Sequence, residues 1–235
     1  DFEIIIVDDG SQDDSRSIIN KYSDSRLTPV FKGNGGQASA FNIGFEQAKG
    51  KIVAFLDSDD WWKPNKLETI VKWHALLHGQ YSVLQHGLDV WHQGQTFPYK
   101  NILPVGDCFS EMQRTGNIDY FVPTSGLVFS KETLCRIFPL PLSLKICADA
   151  YIMRTAFIYG PVFSIPQSLG FYRKHSNSVF GNSEFDFQKF SVHTLFPLLN
   201  EFYRQQSVDF QIDIVKYHRQ SFRFKIRSKL TRILS

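Results

Sequence analysis

The sequence contains few cysteines and no long apolar run. Its three cysteines, Cys108, Cys135 and Cys147, form no CxxC pair and have no histidine at metal-ligand spacing. This spacing excludes a disulfide-rich scaffold and a zinc module, and we interpret the thiols as reduced in a cytoplasmic protein. No window of about 18 consecutive apolar residues occurs, so the sequence predicts no transmembrane helix.

Two nucleotide-binding motifs are also missing. No G-x-G-x-x-G follows a predicted strand, which disfavours a dinucleotide-dependent oxidoreductase on a doubly wound sheet. The stretch Asn34-Gly35-Gly36 lacks the GxxxxGK[ST] pattern and its lysine. We therefore interpret this stretch as a structural turn.

What is present indicates one globular domain followed by a tail. Hydrophobic residues make up 43% and aromatic residues 15% of the 235 positions, which excludes a disordered or fibrous chain. Over the first 90 residues strand and helix signals alternate, and this pattern predicts an α/β fold with a mostly parallel, Rossmann-like sheet flanked by helices.

Individual segments carry local signals. Ser11 is predicted to cap a short helix whose buried stripe contains Ile18, Ile19 and Tyr22. Residues 148–159 have helical periodicity, whereas 162–165 and 169–173 resemble two short strands. Glycine, proline and asparagine punctuate the region between residues 90 and 126, which predicts loops that shape a second binding surface, with residues 124–126 as a candidate acceptor floor.

Clustered acids follow two of the predicted strands. The apolar run 52–56 leads into Asp57, Asp59 and Asp60, and the run 4–7 leads into Asp8 and Asp9. The carboxyl ends of strands in an open α/β sheet share one edge, where such folds bind their ligands. Because hard cations prefer oxygen ligands, the sequence predicts a cation-binding edge there.

Five motifs in a fixed order resemble the family 2 glycosyltransferases of the GT-A fold. The motifs are Val7-Asp8-Asp9-Gly10-Ser11, Asn34-Gly35-Gly36 with Asn42 and Gly44, Phe55-Leu56-Asp57-Ser58-Asp59-Asp60, Ala148-Asp149, and Tyr172-Arg173-Lys174-His175. The resemblance covers residues 1–180, which we expect to form the GT-A domain. Members of that family usually begin with a further strand, so we expect one to precede Asp1.

The resemblance implies how a nucleotide-sugar donor is held. Asp9, with Asp8 beside it, resembles the acid that hydrogen-bonds the nucleotide base. Asp57 and Ser58 are placed near the ribose or the sugar, and Asp59 resembles the direct ligand of a divalent cation, Mn²⁺ or Mg²⁺. Such an ion neutralises the charge that develops on a leaving diphosphate.

The resemblance also implies a catalytic base and further donor contacts. Asp149 occupies the place of the family's base, although Ala148 stands where the family commonly has glutamate. His175 resembles the segment that closes over the diphosphate, and Gln37 is a candidate donor contact. A single base with no paired nucleophile predicts displacement with inversion.

Simpler interpretations exist for each of these residues. Asp60 and Asp149 could be N-terminal helix charges that favour the macrodipole. Asp8 and Asp9 could belong to a solvated turn, and His175 could be a surface histidine.

The predicted function is an inverting glycosyltransferase that moves a sugar, most simply from a UDP-sugar, to a saccharide or lipid-linked saccharide acceptor in polysaccharide or surface-glycan synthesis. The alternative is a non-catalytic module that binds a nucleotide sugar or a glycan. The glycosyltransferase would turn over its donor, whereas the binding module would bind the donor without turnover.

Residues 181–235 are predicted to form a helical, basic tail. Seven of the 26 basic residues follow Asp213, and none of the 23 acidic residues does. Apolar residues at helical spacing between these charges predict an amphipathic helix. Such a helix could contact the inner face of the membrane peripherally or pack on a partner or on the body. Nucleic acid is disfavoured because no recognition motif accompanies the charge.

Overall fold

The computed structural model of the chain describes residues 1–98, 103–115, 122–175 and 186–214. Its strands are β1 (Ile4–Asp8), β2 (Leu27–Phe31), β3 (Ile52–Ala54), β4 (Trp61–Trp62), β5 (Val83–His92), β6 (Gln95–Phe97), β7 (Leu127–Ser130) and β8 (Val162–Arg173). Its helices are α1 (Ser15–Ile19), α2 (Gln37–Gln47), α3 (Lys66–Leu76), α4 (Cys108–Thr115), α5 (Lys131–Cys135), α6 (Ala148–Ala156), α7 (Phe187–Phe190) and α8 (Phe196–Gln205). The predicted basic helix beyond residue 214 lies outside the described residues.

The strands form two sheets. β1 and β2 pair in parallel, with Ile4 opposite Leu27. The larger sheet has the order β3-β7-β5-β8-β4, and β6 pairs with β5. Four of the six described strand pairings are antiparallel. The α/β class is confirmed, but the expected mostly parallel sheet is corrected to a mixed one, because β7 returns antiparallel between β3 and β5.

β8 is one long strand where the sequence pattern predicts two short ones. It runs parallel to β5 along its whole length, and its register shifts on either side of Gly87. An irregularity of this kind interrupts the alternation of apolar side chains. The shift therefore explains the apparent break in the sequence between residues 165 and 169.

The acidic loop between β3 and β4 is fixed at both ends by the larger sheet. β3 pairs with β7, and Trp61 and Trp62 of β4 pair with Phe171 and Gly170 of β8. A Cβ atom at Gly170 would lie 3.0 Å from the Trp61 carbonyl oxygen and 2.9 Å from Leu88 Cδ2. This close approach favours glycine, and it brings the end of β8 beside the loop.

Helices cover both faces of the larger sheet. On β7, Leu127 and Phe129 face a large core that contains α6 and α8, whereas Val128 faces a smaller core beneath α3. This alternation is expected for a strand that is buried on both sides. The Tyr203 hydroxyl on α8 donates to the Arg154 carbonyl on α6 at 3.1 Å. In the described part of the chain, no helix is long and apolar enough to span a bilayer.

The first helix differs from its prediction. α1 begins at Ser15 instead of after Ser11, because the Ser11 N–H donates to Asp8 Oδ1 and belongs to a turn. Ile18 is 49% exposed and Tyr22 is 68% exposed. The predicted buried stripe is therefore wrong for these two residues.

Candidate functional site

The acidic loop 57–60 meets the end of β8. Asp59 Oδ2 lies 2.8 Å from His175 Nε2, and both side chains are partly exposed. Asp60 is buried, and its Oδ1 accepts a hydrogen bond from the Arg173 N–H at 2.8 Å. Ser58 is exposed at the tip of the loop. The structure thus brings together two motifs that are more than 100 residues apart in the chain.

Asp149 joins this loop from the first turn of α6. It is buried, and it lies near enough to Asp57 for its charge to raise the pKa of that carboxyl. The structure therefore places the predicted base Asp149 close to Asp57, the first acid of the loop.

The carboxyls of this cluster bind protons more tightly than usual. Burial, followed by repulsion from Asp149 and Asp60, raises the pKa of Asp57 to about 7. Burial also raises the pKa of Asp149, against the opposing hydrogen bonds from the Ala150 N–H and Thr124. The pKa of Asp60 is raised by burial as well. Negative charge is therefore poorly compensated here, as it is at many functional sites.

Asp8, at the end of β1, has the opposite environment. Its Oδ1 accepts hydrogen bonds from the Gly10 and Ser11 N–H groups, both at 3.1 Å, and from Arg16 Nε at 2.8 Å. Hydrogen bonding, first from the Ser11 side chain and then from Arg16, lowers the pKa of Asp8 to about 2 against the opposing effect of burial. Asp8 therefore organises the turn that follows β1.

Asp9 organises the glycine turn after β2. Its carboxylate pairs with Lys32 and accepts from the Gly35 N–H at 2.9 Å and the Gly36 N–H at 2.7 Å. Burial opposes ionisation, but the Lys32 and backbone hydrogen bonds lower the pKa of Asp9 overall. The side chain remains 21% exposed, so a carboxylate with further lone pairs is accessible to a ligand.

Gln37 faces α6 instead of open solvent. Its Oε1 accepts the Ala148 N–H at 2.6 Å, and its own N–H donates to the Lys145 carbonyl at 2.9 Å. The Ala38 N–H donates to the Leu144 carbonyl. The first N–H groups of α2 are thus already used, which agrees with the interpretation of residues 34–36 as a structural turn. The predicted donor contact of Gln37 is untested, and its visible contact positions the helix that carries Asp149.

The residues around Asp59 fit a divalent cation that is completed by a ligand. No group of three or more His, Cys, Asp or Glu side chains in the described ranges could hold an ion unaided. Asp59 supplies a carboxylate beside the His175 imidazole, and the adjacent acids are undercompensated. Mg²⁺ typically binds through one or two carboxylates plus phosphate oxygens and water, so this donor set suits a nucleotide-bound ion.

Ser125 and the residues that bond to it support the acidic loop, and the sequence pattern does not indicate this role. Ser125 Oγ accepts the Asp57 N–H at 3.0 Å, and the Ser125 carbonyl accepts from Trp62 Nε1 at 3.0 Å and from Lys66 Nζ at 2.9 Å. The sequence predicts residues 124–126 only as an acceptor floor, whereas Ser125 also supports the acidic loop and the start of α3. No local pattern signals these contacts, because they depend on tertiary placement.

The acidic loop at the edge of this mixed α/β fold carries Asp59 beside His175. Such a site suits a cation bound to the diphosphate of a nucleotide sugar. The family model described as Glycosyl transferase family 2 matches residues 1–138, more than half of the chain. The chain therefore belongs to glycosyl transferase family 2, which confirms the resemblance drawn from the five motifs.

Relatives and solved structures agree. An uncharacterised glycosyltransferase of Nostoc sp. is 38% identical over 184 residues, covering 74% of this chain and 56% of its own length. The Escherichia coli UDP-Glc:alpha-D-GlcNAc-diphosphoundecaprenol beta-1,3-glucosyltransferase WfaP is 51% identical over 67 residues, 28% of this chain and 26% of that protein. The S. aureus TarS 1–349 structure in complex with UDP-GlcNAc has a TM-score of 0.67 at 20% identity, covering 86% of this chain and 57% of that one.

The TarS likeness confirms the GT-A fold, and the family match confirms membership of glycosyl transferase family 2. The chain spans about half the length of the Nostoc relative. Donor, acceptor and metal use of the whole protein are therefore matters of proposal.

Proposed function

We propose that this protein is an inverting glycosyltransferase that moves a sugar from a UDP-sugar to a saccharide or lipid-linked saccharide acceptor. The observation that carries the proposal is the closeness of the carboxyls of Asp57 and Asp149, beside the Asp59–His175 pair. UDP donors are supported by the names of two similar proteins, one a UDP-Glc transferase and one solved with UDP-GlcNAc.

Asp149 is the proposed base. Its burial raises its pKa, which makes the ionised carboxylate a better proton acceptor at a given geometry. The acceptor hydroxyl gives its proton to Asp149 as its oxygen forms a bond to the anomeric carbon. The bond from that carbon to the diphosphate oxygen breaks, and the nucleoside diphosphate leaves with the electron pair on the opposite face. Inversion follows from this single displacement.

The remaining acids hold the donor. Asp9, already fixed by the residue 34–36 turn, presents a lone pair to the nucleotide base, and Asp8 maintains the turn beside it. Asp57 and Ser58 lie toward the ribose or sugar. Asp59 and His175 would hold Mn²⁺ or Mg²⁺ together with diphosphate oxygens, and such an ion supplies charge neutralisation for the leaving group.

Donor class and metal use can be tested by thermal stabilisation of the full chain. UDP, GDP, dTDP, ADP and NAD are each added with and without Mn²⁺, and we expect a Mn²⁺-dependent rise in melting temperature with UDP. Asp59→Ala should abolish the Mn²⁺ dependence, whereas Asp24→Ala, at an exposed acid paired with Arg26 far from the loop, should retain it. A shift with NAD alone, or none with any nucleotide, would refute the proposal.

Turnover separates the enzyme from a binding module. UDP release from UDP-glucose and UDP-GlcNAc is measured with Mn²⁺, and the product's anomeric configuration is read by NMR. A product of retained configuration would refute the displacement mechanism. UDP binding without release from either sugar, in the full-length protein, would favour the non-catalytic module.

A further inference from the structure

Residues 57–66 donate hydrogen bonds to both the side chain and the backbone carbonyl of Ser125. Its Oγ accepts the Asp57 N–H at 3.0 Å, while its carbonyl accepts Trp62 Nε1 at 3.0 Å and Lys66 Nζ at 2.9 Å. A carbonyl oxygen has two lone pairs, so two side-chain donors saturate it. Residues 57–66 therefore enclose Ser125, which is itself fully buried.

Lys66 is an unusual member of this arrangement. It is fully buried at the start of α3, and no carboxylate pairs with it in the described part of the chain. Its Nζ lies 3.7 Å from the centre of the Trp62 ring, and burial lowers the pKa of the amine to about 6. Burying an amine in this way is costly. An apolar side chain of equal length would fill the space without that cost, so the particular contribution of the amine is its hydrogen bond to Ser125.

The turn that contains Ser125 supports the acidic loop directly. Ser125 Oγ holds the Asp57 N–H, and Asp57 lies near enough to Asp149 for the two charges to interact. Gly126, on the other side, is closely packed, since a Cβ there would lie 2.7 Å from the His86 carbonyl oxygen. A displacement of Ser125 is therefore transmitted to Asp57 and to the spacing of the two acids.

We propose that Lys66, together with Trp62, is a positioning residue of the transfer reaction: by fixing the Ser125 carbonyl it sets the position of Ser125 Oγ and hence of Asp57 relative to Asp149. The inference rests on the proposed function for its effect on turnover, and on the hydrogen bonds alone for its effect on the turn. Lys66 touches neither Asp149 nor the open edge of the site, so it acts through Ser125.

Two variants remove one donor each to the same carbonyl. Lys66→Met keeps the length and the apolar stem but has no N–H, and Trp62→Phe keeps an aromatic ring without Nε1–H. Lys63→Met is the matched control, because the Lys63 amine lies three residues earlier and pairs with Asp89 at 2.7 Å. If Lys66→Met does not fold, Trp62→Phe alone tests the proposal.

Turnover is measured with UDP-glucose and Mn²⁺ and divided by the concentration of sites that bind UDP, so that loss of folded protein cancels. We expect kcat per site to fall about tenfold in both variants, as small misplacements of reacting groups do, with the KM for UDP-glucose unchanged within about twofold. Lys63→Met should change neither quantity. An unchanged kcat per site, or a KM that rises as kcat falls, would overturn the proposal.

Amide hydrogen exchange tests the same contact without turnover. Exchange of the Asp57 N–H should accelerate at least about tenfold in both variants, while amides of β5 and α6 keep their wild-type protection. If the wild type transfers no sugar but this acceleration occurs, the proposed function fails and the positioning of the turn stands. If Asp57 exchanges at the wild-type rate in both variants, the inference fails whatever the activity.

Discussion

The molecule has two acidic strand ends, one after β1 and one after β3. They differ in how far hydrogen bonds and nearby cations compensate the charge of their carboxylates. At the end of β1, Asp8 and Asp9 each accept several hydrogen bonds and pair with a cation, and their pKa values are lowered. In the acidic loop and on α6, burial raises the pKa values of Asp57 and Asp149, and neighbouring carboxylates raise that of Asp57 further. Asp8 and Asp9 therefore hold the turns beside them in place. The carboxylates of Asp57 and Asp149 remain poorly compensated, and a bound cation, a proton or a substrate hydroxyl can compensate them.

The largest expected effect comes from breaking the second region. Asp149→Asn keeps the shape of the side chain and removes the base, so turnover of UDP-glucose should fall by roughly 10²–10⁴-fold. UDP binding and melting temperature should be retained, because burial of the carboxylate outweighs its attraction to Arg154, as its raised pKa indicates. Asp24→Asn is the control and should leave the rate unchanged. Equal turnover in Asp149→Asn and wild type would remove Asp149 from the mechanism.

The stability of the folded protein should depend on pH in opposite directions through Asp8 and through Asp57. Asp8 has a folded pKa of about 2 against 3.8, so its contribution to stability is present above about pH 4 and is lost as pH falls toward 2. Asp57 has a folded pKa of about 7, so the folded state holds a proton that the unfolded state has released, and stability falls as pH rises from about 4 to 7.

Melting temperatures of chelator-treated protein between pH 2.5 and 8 measure both slopes. Asp8→Asn should flatten the acid limb and lower the melting temperature near neutrality. Asp57→Asn should flatten the slope between about pH 4 and 7 and leave the acid limb in place. The same change of slope in both variants would show that the two regions are not electrostatically distinct.

A smaller effect is expected at the hydrogen bond between Gln37, which follows the turn held by Asp9, and Ala148 at the start of α6. Gln37→Leu removes the acceptor of the Ala148 N–H and loosens the first turn of α6. We expect kcat to fall severalfold, with UDP affinity unchanged, since Gln37 supports Asp149 through the helix. Asn42→Leu, which breaks a pair of hydrogen bonds to Leu140, is a control for loss of packing near α2. A loss of UDP affinity in Gln37→Leu would instead support its predicted donor contact.

The smallest effect on catalysis is expected from the basic tail. Deleting residues 215–235 removes seven basic residues and should leave the turnover of UDP-glucose in solution unchanged. Pelleting with vesicles of anionic lipid should decrease and should depend on salt. Pelleting with anionic vesicles that is the same with and without the tail would end the membrane proposal.

Much of the fold follows from local sequence patterns, and the supporting contacts do not. Strand β1 lies where the apolar run 4–7 predicts it, and helix α6 begins where the periodicity of residues 148–159 predicts it. β4 was missed because Trp61 and Trp62 acquire strand geometry only by pairing with β8. Ile18 and Tyr22 have helical spacing but face solvent, since no described element covers that side of α1.

The same distinction holds for the site. Asp57 and Asp59 stand out in the sequence as acids that follow a strand, and Asp149 is indicated by the resemblance to the family. Lys66, Trp62 and Ser125 do not stand out, because a buried lysine beside a carbonyl has no signature along the chain. Their roles arise from contacts across roughly 60 residues of sequence.

The hydrogen bond that anchors Asp60 to β8 comes from the Arg173 backbone. Its donor is therefore independent of which side chain stands at position 173, and alanine scanning there would leave the anchor intact. Only proline or an ester linkage at that position deletes the donor. Changing the side chain at position 173 accordingly keeps this anchor, but it removes the guanidinium that lies 5.2 Å from the centre of the Trp61 ring and favours the ionised form of Asp60.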